Sequence, residues 1–424
     1  MTDPSSDVTL RHVEASVKDM SIVRPVRFSV KMALAGERQN VEASGITGGF
    51  AQQKPFLKDF EARADLGAIG YGELISAVPQ LKAIGLNEAV RGLIKAKVRE
   101  LRFEDNKLSK ISASATFTDG AVSMSQLNSP VENVNLEAAI EDSELTVSSF
   151  SLGLAGGSLK GNARISDVFS APKTSLKMVS EVRGLKAFLS RAAAINQDID
   201  GDVRFTFDGT MSGRSWEEIS RTLSGGGHFT LERGAIVDSN MLRQSISALT
   251  IFPALVSLFE NSAPPQVKQF LGPNYTILKP LSQSYTIEAS YANIPGLVIE
   301  SDVLDLRGEA RISLAGDISG RGIIRFAPPV SQAMIASVPP MQYLADQQGR
   351  VEFPIAFKGG TEGFKVIPDM NYIAKKIAVQ QAGEIVTDII SRSMKKEDAS
   401  GQAAAESKPP KIKDILKGFL KEQE

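Results

Sequence analysis

Alternation of apolar and polar residues with a period of two, punctuated by glycine, constrains this chain more than any other feature. Residues 223–240, LSGGGHFTLERGAIVDSN, show the pattern at its clearest. Gly225 to Gly227 open the stretch. Phe229 and Leu231 then fall on one side and His228, Thr230 and Glu232 on the other, as in a strand with one buried face. Arg233-Gly234 predicts a turn, because glycine takes positive φ without steric cost, and Ala235-Ile236-Val237 a return strand. Asp238, Ser239 or Asn240 supplies a cap for a helix starting at Met241.

The same grammar fills most of the chain. Val13, Ala15 and Val17 alternate with polar neighbours, and Val26, Phe28, Val30, Met32 and Leu34 continue the pattern. Ile111, Ala113, Ala115 and Phe117 form a further apolar row, followed by Asp119-Gly120, a dipeptide that predicts a hairpin. Val134, Leu136 and Ala138 follow, then Leu145 and Val147. Beyond Ser148 the apolar residues change parity to Phe150, Leu152 and Leu154, which predicts a bulge. Leu159 to Ile165, Val203 to Phe207, Leu297 and Ile299, Ala310, Ile312 and Leu314, Ile324 and Phe326, and Val351 to Phe357 complete the strands.

Helical spacing is confined to short pieces. Leu74, Ile75, Val78, Leu81, Ala89, Leu93 and Ile94 predict one or two helices within 71–97, broken at Pro79 and Gly85. Further helices are expected over 185–195, 215–223 with a capping box at Ser215 and Glu218, 241–259, and 371–394. Residues 395–410 read as a polar linker. Ile412, Ile415, Leu416, Phe419 and Leu420 give 411–424 an amphipathic tail helix ringed by lysines.

Composition narrows the function. Lys+Arg 48 against Asp+Glu 49 leaves a net charge of -1, so no basic field draws the 424-residue chain to nucleic acid. With no cysteine and only His12 and His228, thiol catalysis and transition-metal sites lose their usual ligands. Asp198, Asp200 and Asp202 alternate, but the glycine comes fourth, at Gly201, where a calcium loop needs it sixth, and Gly209 holds the place of its final glutamate. No group of residues pairs an acid with a base or nucleophile. The expectation is a protein that is not an enzyme, with no cofactor and no metal. No apolar run reaches the roughly 18–20 residues that span a bilayer, and no charged-then-apolar leader opens the sequence.

Three pieces carry a family likeness. Residues 145–165, LTVSSFSLGLAGGSLKGNARI, resemble the unit of AsmA-like proteins in which two strands meet at a Gly-Gly turn. Residues 223–238 are similar to that family's L-x-G-x-G-x-F-x-L-x-x-G-x-I pattern, and 351–369, VEFPIAFKGGTEGFKVIPD, to its closing strand. The likeness covers roughly 98–375. It departs from the family in lacking an N-terminal transmembrane helix.

The resemblance implies a mainly β protein, a long twisted antiparallel sheet curled into an open groove, as in bridge-like lipid-transfer proteins. It divides the chain into a β segment with a helical insert (1–97), a groove domain (98–375), a helix (376–394), a linker and the tail helix. The implied function is binding and transfer of phospholipid, acyl chains in the groove, in the bacterial envelope: periplasmic, beside the inner membrane. The tail helix would meet a membrane surface or an envelope protein. The lining expected from the alternation is Val26, Phe28, Val30, Phe117, Leu136, Phe150, Leu152, Phe205, Phe207, Phe229, Leu231, Ile299, Ile312, Leu314, Phe353 and Ile355. The alternative is a closed β-sandwich, in which a second sheet covers the apolar side and the protein is an assembly factor for the outer membrane.

Overall fold

The computed structural model describes residues 10–34, 37–67, 69–70, 86–105, 107–124, 127–193, 198–249, 257, 259, 261, 263–359 and 365–379. The predicted linker and tail helix lie outside them. Compactness divides the chain at Tyr372/Ile373. In the second unit, the described residues 373–379 are helical.

The first unit is built on one antiparallel sheet. Its strands are β1 (Leu10–Lys18), β2 (Val26–Leu34), β3 (Val41–Gly48), β4 (Phe56–Asp65), β5 (Ile69–Gly70), β6 (Leu86–Glu104), β7 (Lys107–Met124), β8 (Val131–Glu141), β9 (Glu144–Leu154) and β10 (Gly157–Ser166). They continue as β11 (Lys173–Val182), β12 (Ile199–Ser212), β13 (Ser224–Val237), β14 (Tyr275–Ile277), β15 (Leu281–Glu288), β16 (Tyr291–Glu300), β17 (Leu304–Ser313), β18 (Ile318–Phe326), β19 (Glu352–Gly359) and β20 (Lys365–Pro368). Each long strand pairs with the next in sequence. The short β5 and β14 lie in line with β4 and β15, against β6 and β13. Among the described strands β1 pairs with β2 alone and β20 with β19 alone, so the sheet is open. At about 4.8 Å per strand it extends on the order of 80 Å, and its right-handed strand twist and bulges curl it.

Two turns expected from the sequence are bulges within long strands. Asp119 takes φ 51° inside β7, opposite Gly92 of β6, and the chain runs straight on to Met124. Arg233, at φ 50°, interrupts the register of β13 against Gly201 of β12. A hairpin dipeptide with pairing strands on both sides has no freedom to reverse the chain, so it yields an inserted residue instead. The bulge expected near Ser148 is there: Ala138 pairs with Val147 and Glu137 with Ser149, leaving Ser148 unmatched.

The helix expected over 71–97 is corrected for its second part. Residues 86–97 belong to β6, held by β4 on one side and β7 on the other. The sheet is therefore continuous through Val98. Residues 71–85 lie outside the described set.

Helices occupy the turns. Among the described residues of the first unit they are α1 (Leu185–Ala193), α2 (Trp216–Thr222), α3 (Met241–Ser247), α4 (Pro265–Lys268) and α5 (Pro328–Ser337), with 3-10 turns over Phe50–Gln52 and Pro339–Leu344. Ser215 caps α2 by accepting from Glu218 N at 3.2 Å, while the Glu218 carboxylate accepts from Arg214 N, one residue before the expected box. Asp202 and Asp200 accept from Gly184 N and Lys186 N at the start of α1, which gives that acidic run its structural role. α5 is absent from the sequence reading, although Pro328-Pro329 is a helix-start signal.

Aromatic rings lie across glycines of neighbouring strands. Phe150 covers Gly161, Phe60 covers Gly45, and Phe357 covers Gly320. At Gly227 a Cβ would stand 1.8 Å from the Thr206 carbonyl oxygen and 2.7 Å from the Tyr285 hydroxyl. Gly227→Ala is expected to cost about 1–3 kcal/mol through forced separation of β12 and β13, read as a fall in the urea midpoint. An unchanged midpoint would show that the strands do not approach so closely.

Candidate functional site: an apolar track across the sheet

Because cross-strand partners share a face, the register defines rows of side chains running across the strands. One row is Ala15–Val30–Ala43–Ala62–Ala96–Ala115–Ala138–Val147–Ala163–Leu176. On one side of it runs a row of larger residues, Ile94–Phe117–Leu136–Phe150, which continues through Gly161 to Met178 and Phe207. On the other side Phe60–Val98–Ala113–Ile140–Leu145–Ile165 forms a second row. With two residues between rows, the outer rows stand roughly 13 Å apart. Small side chains between large ones make a shallow channel with a low floor.

This channel is uncovered. None of the floor residues from Ala15 to Leu176 is buried, and Ala15 and Ala115 are exposed. Alanine has so little surface that a covering element hides it; Ala263 and Ala333, which are covered, keep only 4%. Leu136 in the flanking row is 37% exposed. Cover on β1–β11 is local: Leu34, Ile94 and Phe117 pack on the buried pair Leu66 and Val90, and Phe188 of α1 lies over Gly157 at the start of β10, but no described sheet lies over the floor row to close it into a sandwich.

The C-terminal part of the sheet differs. Among the described residues, every large side chain with less than 2% exposure except Ile373 lies between Met241 and Phe357. Leu304, Leu306, Ile324 and Phe326 of β17 and β18 are buried together with Met241, Leu242 and Ile246 of α3, and with Val330 and Met334 of α5. Ser331 of α5 ties the assembly by donating to Phe326 O and accepting from Val351 N.

The predicted lining divides accordingly. Phe28, Val30, Phe117, Phe150 and Leu152 are half-buried, and Leu136 is exposed, all in the uncovered half. Phe205 stacks on Tyr285 at 5.1 Å, with Phe229 beside the same ring at 6.4 Å, where the open half meets the covered one. Burial pushes the Tyr285 phenol above its ordinary value, and its hydroxyl donates to Thr206 O at 2.6 Å. Phe207, Leu231 and Val26 are buried. Phe207 packs onto Gly209 and Gly225, and Leu231 against Gly201 and Gly234. Ile299 and Ile312 are half-buried in β16 and β17, and Leu314 sits past the end of β17, 39% exposed.

Phe353 and Ile355 are corrections. At 1% and 3% exposure they belong to the packed core, because buried helical side chains fill that part of the molecule. Phe60, Ile94 and the alanine floor are lining residues that the sequence reading missed. Ile94 was hidden by its helical spacing. The alanines were visible as alternate positions, but their alignment into one row depends on register.

The opposite face is polar and carries ion pairs between adjacent strands: Lys31–Glu42, Lys97–Glu61, Arg164–Glu144, Lys177–Asp208 and Arg321–Glu309. Exposed pairs of this kind stabilise little, but they keep this face hydrated. A cavity of about 610 Å³ across β8–β13 is edged by Lys160, Asn162, Lys177, Thr206 and Asp208. Phe150, Gly161, Met178 and Phe207 of the flanking row line it as well. His12 and His228 are also exposed, bonded to Glu37 and to Ser282.

Glu100 is the hub of the charged face. Hydrogen bonds from Lys110, Arg102 and Lys58 hold its carboxyl down from the ordinary 4.5 to about 2. A depressed folded value means that its stabilisation is complete above the unfolded value and is lost as pH falls through the folded one. Urea midpoints are therefore expected to decline toward about pH 2, with Glu100→Gln removing that part of the acid dependence. Identical acid profiles for the two proteins would exclude the hub.

No candidate metal cluster of His, Cys, Asp or Glu occurs among the described residues, and no described helix is long and apolar enough to cross a membrane. Comparison with protein-family models, with curated proteins and with solved structures returns no match for this chain.

Proposed function

We propose that the protein binds lipid acyl chains along the uncovered channel and passes phospholipid along it, without catalysing a chemical reaction. The observation that carries this reading is the alanine floor: a continuous apolar row across β1–β11 that touches solvent at every step. Soluble proteins rarely leave a continuous apolar face of that extent without a ligand or partner. Each acyl methylene laid on it gains about 0.8 kcal/mol. Successive positions along a row of alanines are alike, so a chain moves along without a deep well at any point, while its headgroup stays in water. The AsmA-like character of the sequence agrees with this chemistry. It favours a periplasmic setting beside the inner membrane, with the tail helix as contact to a membrane or an envelope protein.

Organic extraction of the purified full chain, followed by mass spectrometry, is expected to recover phospholipid. Leu136→Asp, with its charge in an exposed channel position, is expected to lose most of that lipid while remaining folded. A wild-type extract free of lipid, together with failure to take up added phospholipid, would sink the proposal.

A further inference from the structure

The three most exposed large apolar side chains among the described residues of the N-terminal half share one turn at a corner of the sheet, and Phe50 stands in the next turn. Met20, Ile22 and Val23, in the turn between β1 and β2, are 85%, 75% and 66% exposed, and Phe50, in the turn between β3 and β4, is 52% exposed. The two turns are neighbours: a Cβ at Gly48 would lie 3.2 Å from Pro25 Cα. Both are well formed. Ser21 Oγ accepts from Val23 N at 3.2 Å and from Arg24 N at 3.0 Å. Lys54 N donates to Gly49 O at 3.0 Å, closing the other turn below Phe50. Hydrogen bonds thus hold the backbone while the apolar side chains stand in water.

Cations surround them. Lys18 and Arg27 lie directly across from each other in register, a like-charged pair that disfavours the strand pairing unless an anion sits between. Among the described ion pairs, none engages Lys18, Arg24 or Arg27. Several cations elsewhere on the sheet, such as Lys31, Lys97 and Lys177, meet a carboxylate on the next strand.

This corner also adjoins the end of the channel. Val17 pairs with Phe28 one step before the turn, and the floor row begins at Ala15–Val30. β1 has no described partner on its outer side, so the channel is open there. We propose that this corner docks on an anionic lipid surface. Met20, Ile22, Val23 and Phe50 enter the headgroup layer, Lys18, Arg24 and Arg27 meet the headgroup phosphates, and the open end of the channel faces the bilayer. Apolar tips ringed by unpaired cations match an anionic membrane in both chemistry and charge. The assignment rests on the lipid reading of the channel only for what docking achieves.

Since the chain contains no cysteine, Ile22→Cys in the full-length protein gives a single site for an environment-sensitive fluorophore. Blue-shifted emission is expected with vesicles containing phosphatidylglycerol, but not with pure phosphatidylcholine, and not from the same label at Ser44→Cys on the polar face. Because the readout is local, vesicle binding by the lysine-rich tail does not produce it. Arg24→Glu with Arg27→Glu is expected to weaken partitioning roughly ten-fold or more, at about 1 kcal/mol for each charge removed and further repulsion from its reversal. Absence of the shift with anionic vesicles overturns the proposal. So does an equal shift on neutral vesicles, or one that grows with protein concentration without vesicles, which would mark a contact between copies. Lipid recovery from the channel is measured separately, so loss of docking with lipid retained removes only this inference.

Discussion

Ala115→Trp is expected to leave the protein folded and to slow lipid transfer between donor and acceptor vesicles roughly thirty-fold. Ala115 lies in the floor row between Ala96 and Ala138 and is exposed. No described element stands above it for an indole to displace, so stability is expected to change by no more than about 0.5 kcal/mol. An acyl chain passing β7 would have to lift two or three methylenes off the sheet. At about 0.8 kcal/mol each, that adds roughly 2 kcal/mol to the barrier, the source of the thirty-fold figure. Ser114→Trp, one residue away on the exposed polar face, is expected to transfer at the wild-type rate. Equal rates for Ala115→Trp and wild type would mean that lipid does not travel along this row.

Phe353→Ala is expected to destabilise the protein by about 3–5 kcal/mol, whereas Leu136→Ala costs about 1 kcal/mol or less. Both residues are apolar positions of alternating strands in the same sheet. Phe353 is 1% exposed and packs against Phe326 at 5.8 Å, so truncation leaves a cavity that the helices cannot refill. Leu136 is 37% exposed and borders solvent, so no enclosed void remains. Urea unfolding of the two variants measures the contrast. Similar losses would show that the channel is covered, and the open-groove reading would fail with them.

The sidedness of the strands was legible because side-chain direction reverses at each residue of an extended chain, a property of the backbone alone. The parity change at Ser148 was legible for the same reason, since an unmatched residue flips everything after it. Asp119-Gly120 shows where this local reading fails. The dipeptide suits a two-residue hairpin, but β6 and β8 pair with β7 on both sides of it, and the long ladder of backbone hydrogen bonds outweighs the turn preference. Residues 86–97 failed likewise. Leu93 and Ile94 have helical spacing, yet β4 and β7 supply a hydrogen-bond partner on each side.

The site was half legible. Leu136 and Phe353 both stand at apolar positions of an alternating strand, and nothing local tells channel from core. What separates them is where the connections between β13 and β15 and between β18 and β19 place their helices, which contribute Met241, Ile246, Val330 and Met334 to the covered end. The alignment of Ala43, Ala62, Ala96, Ala115 and Ala138 into one floor likewise required the register of several strand pairs.

By itself, then, the sequence determined that this protein is an antiparallel sheet with one oily and one charged side, because alternation and glycine act within a few residues. Only the tertiary structure decided which part of the oily side is roofed and which left bare. That choice depends on register and on contacts between residues far apart in the chain, and these are set by the free energy of the whole assembly.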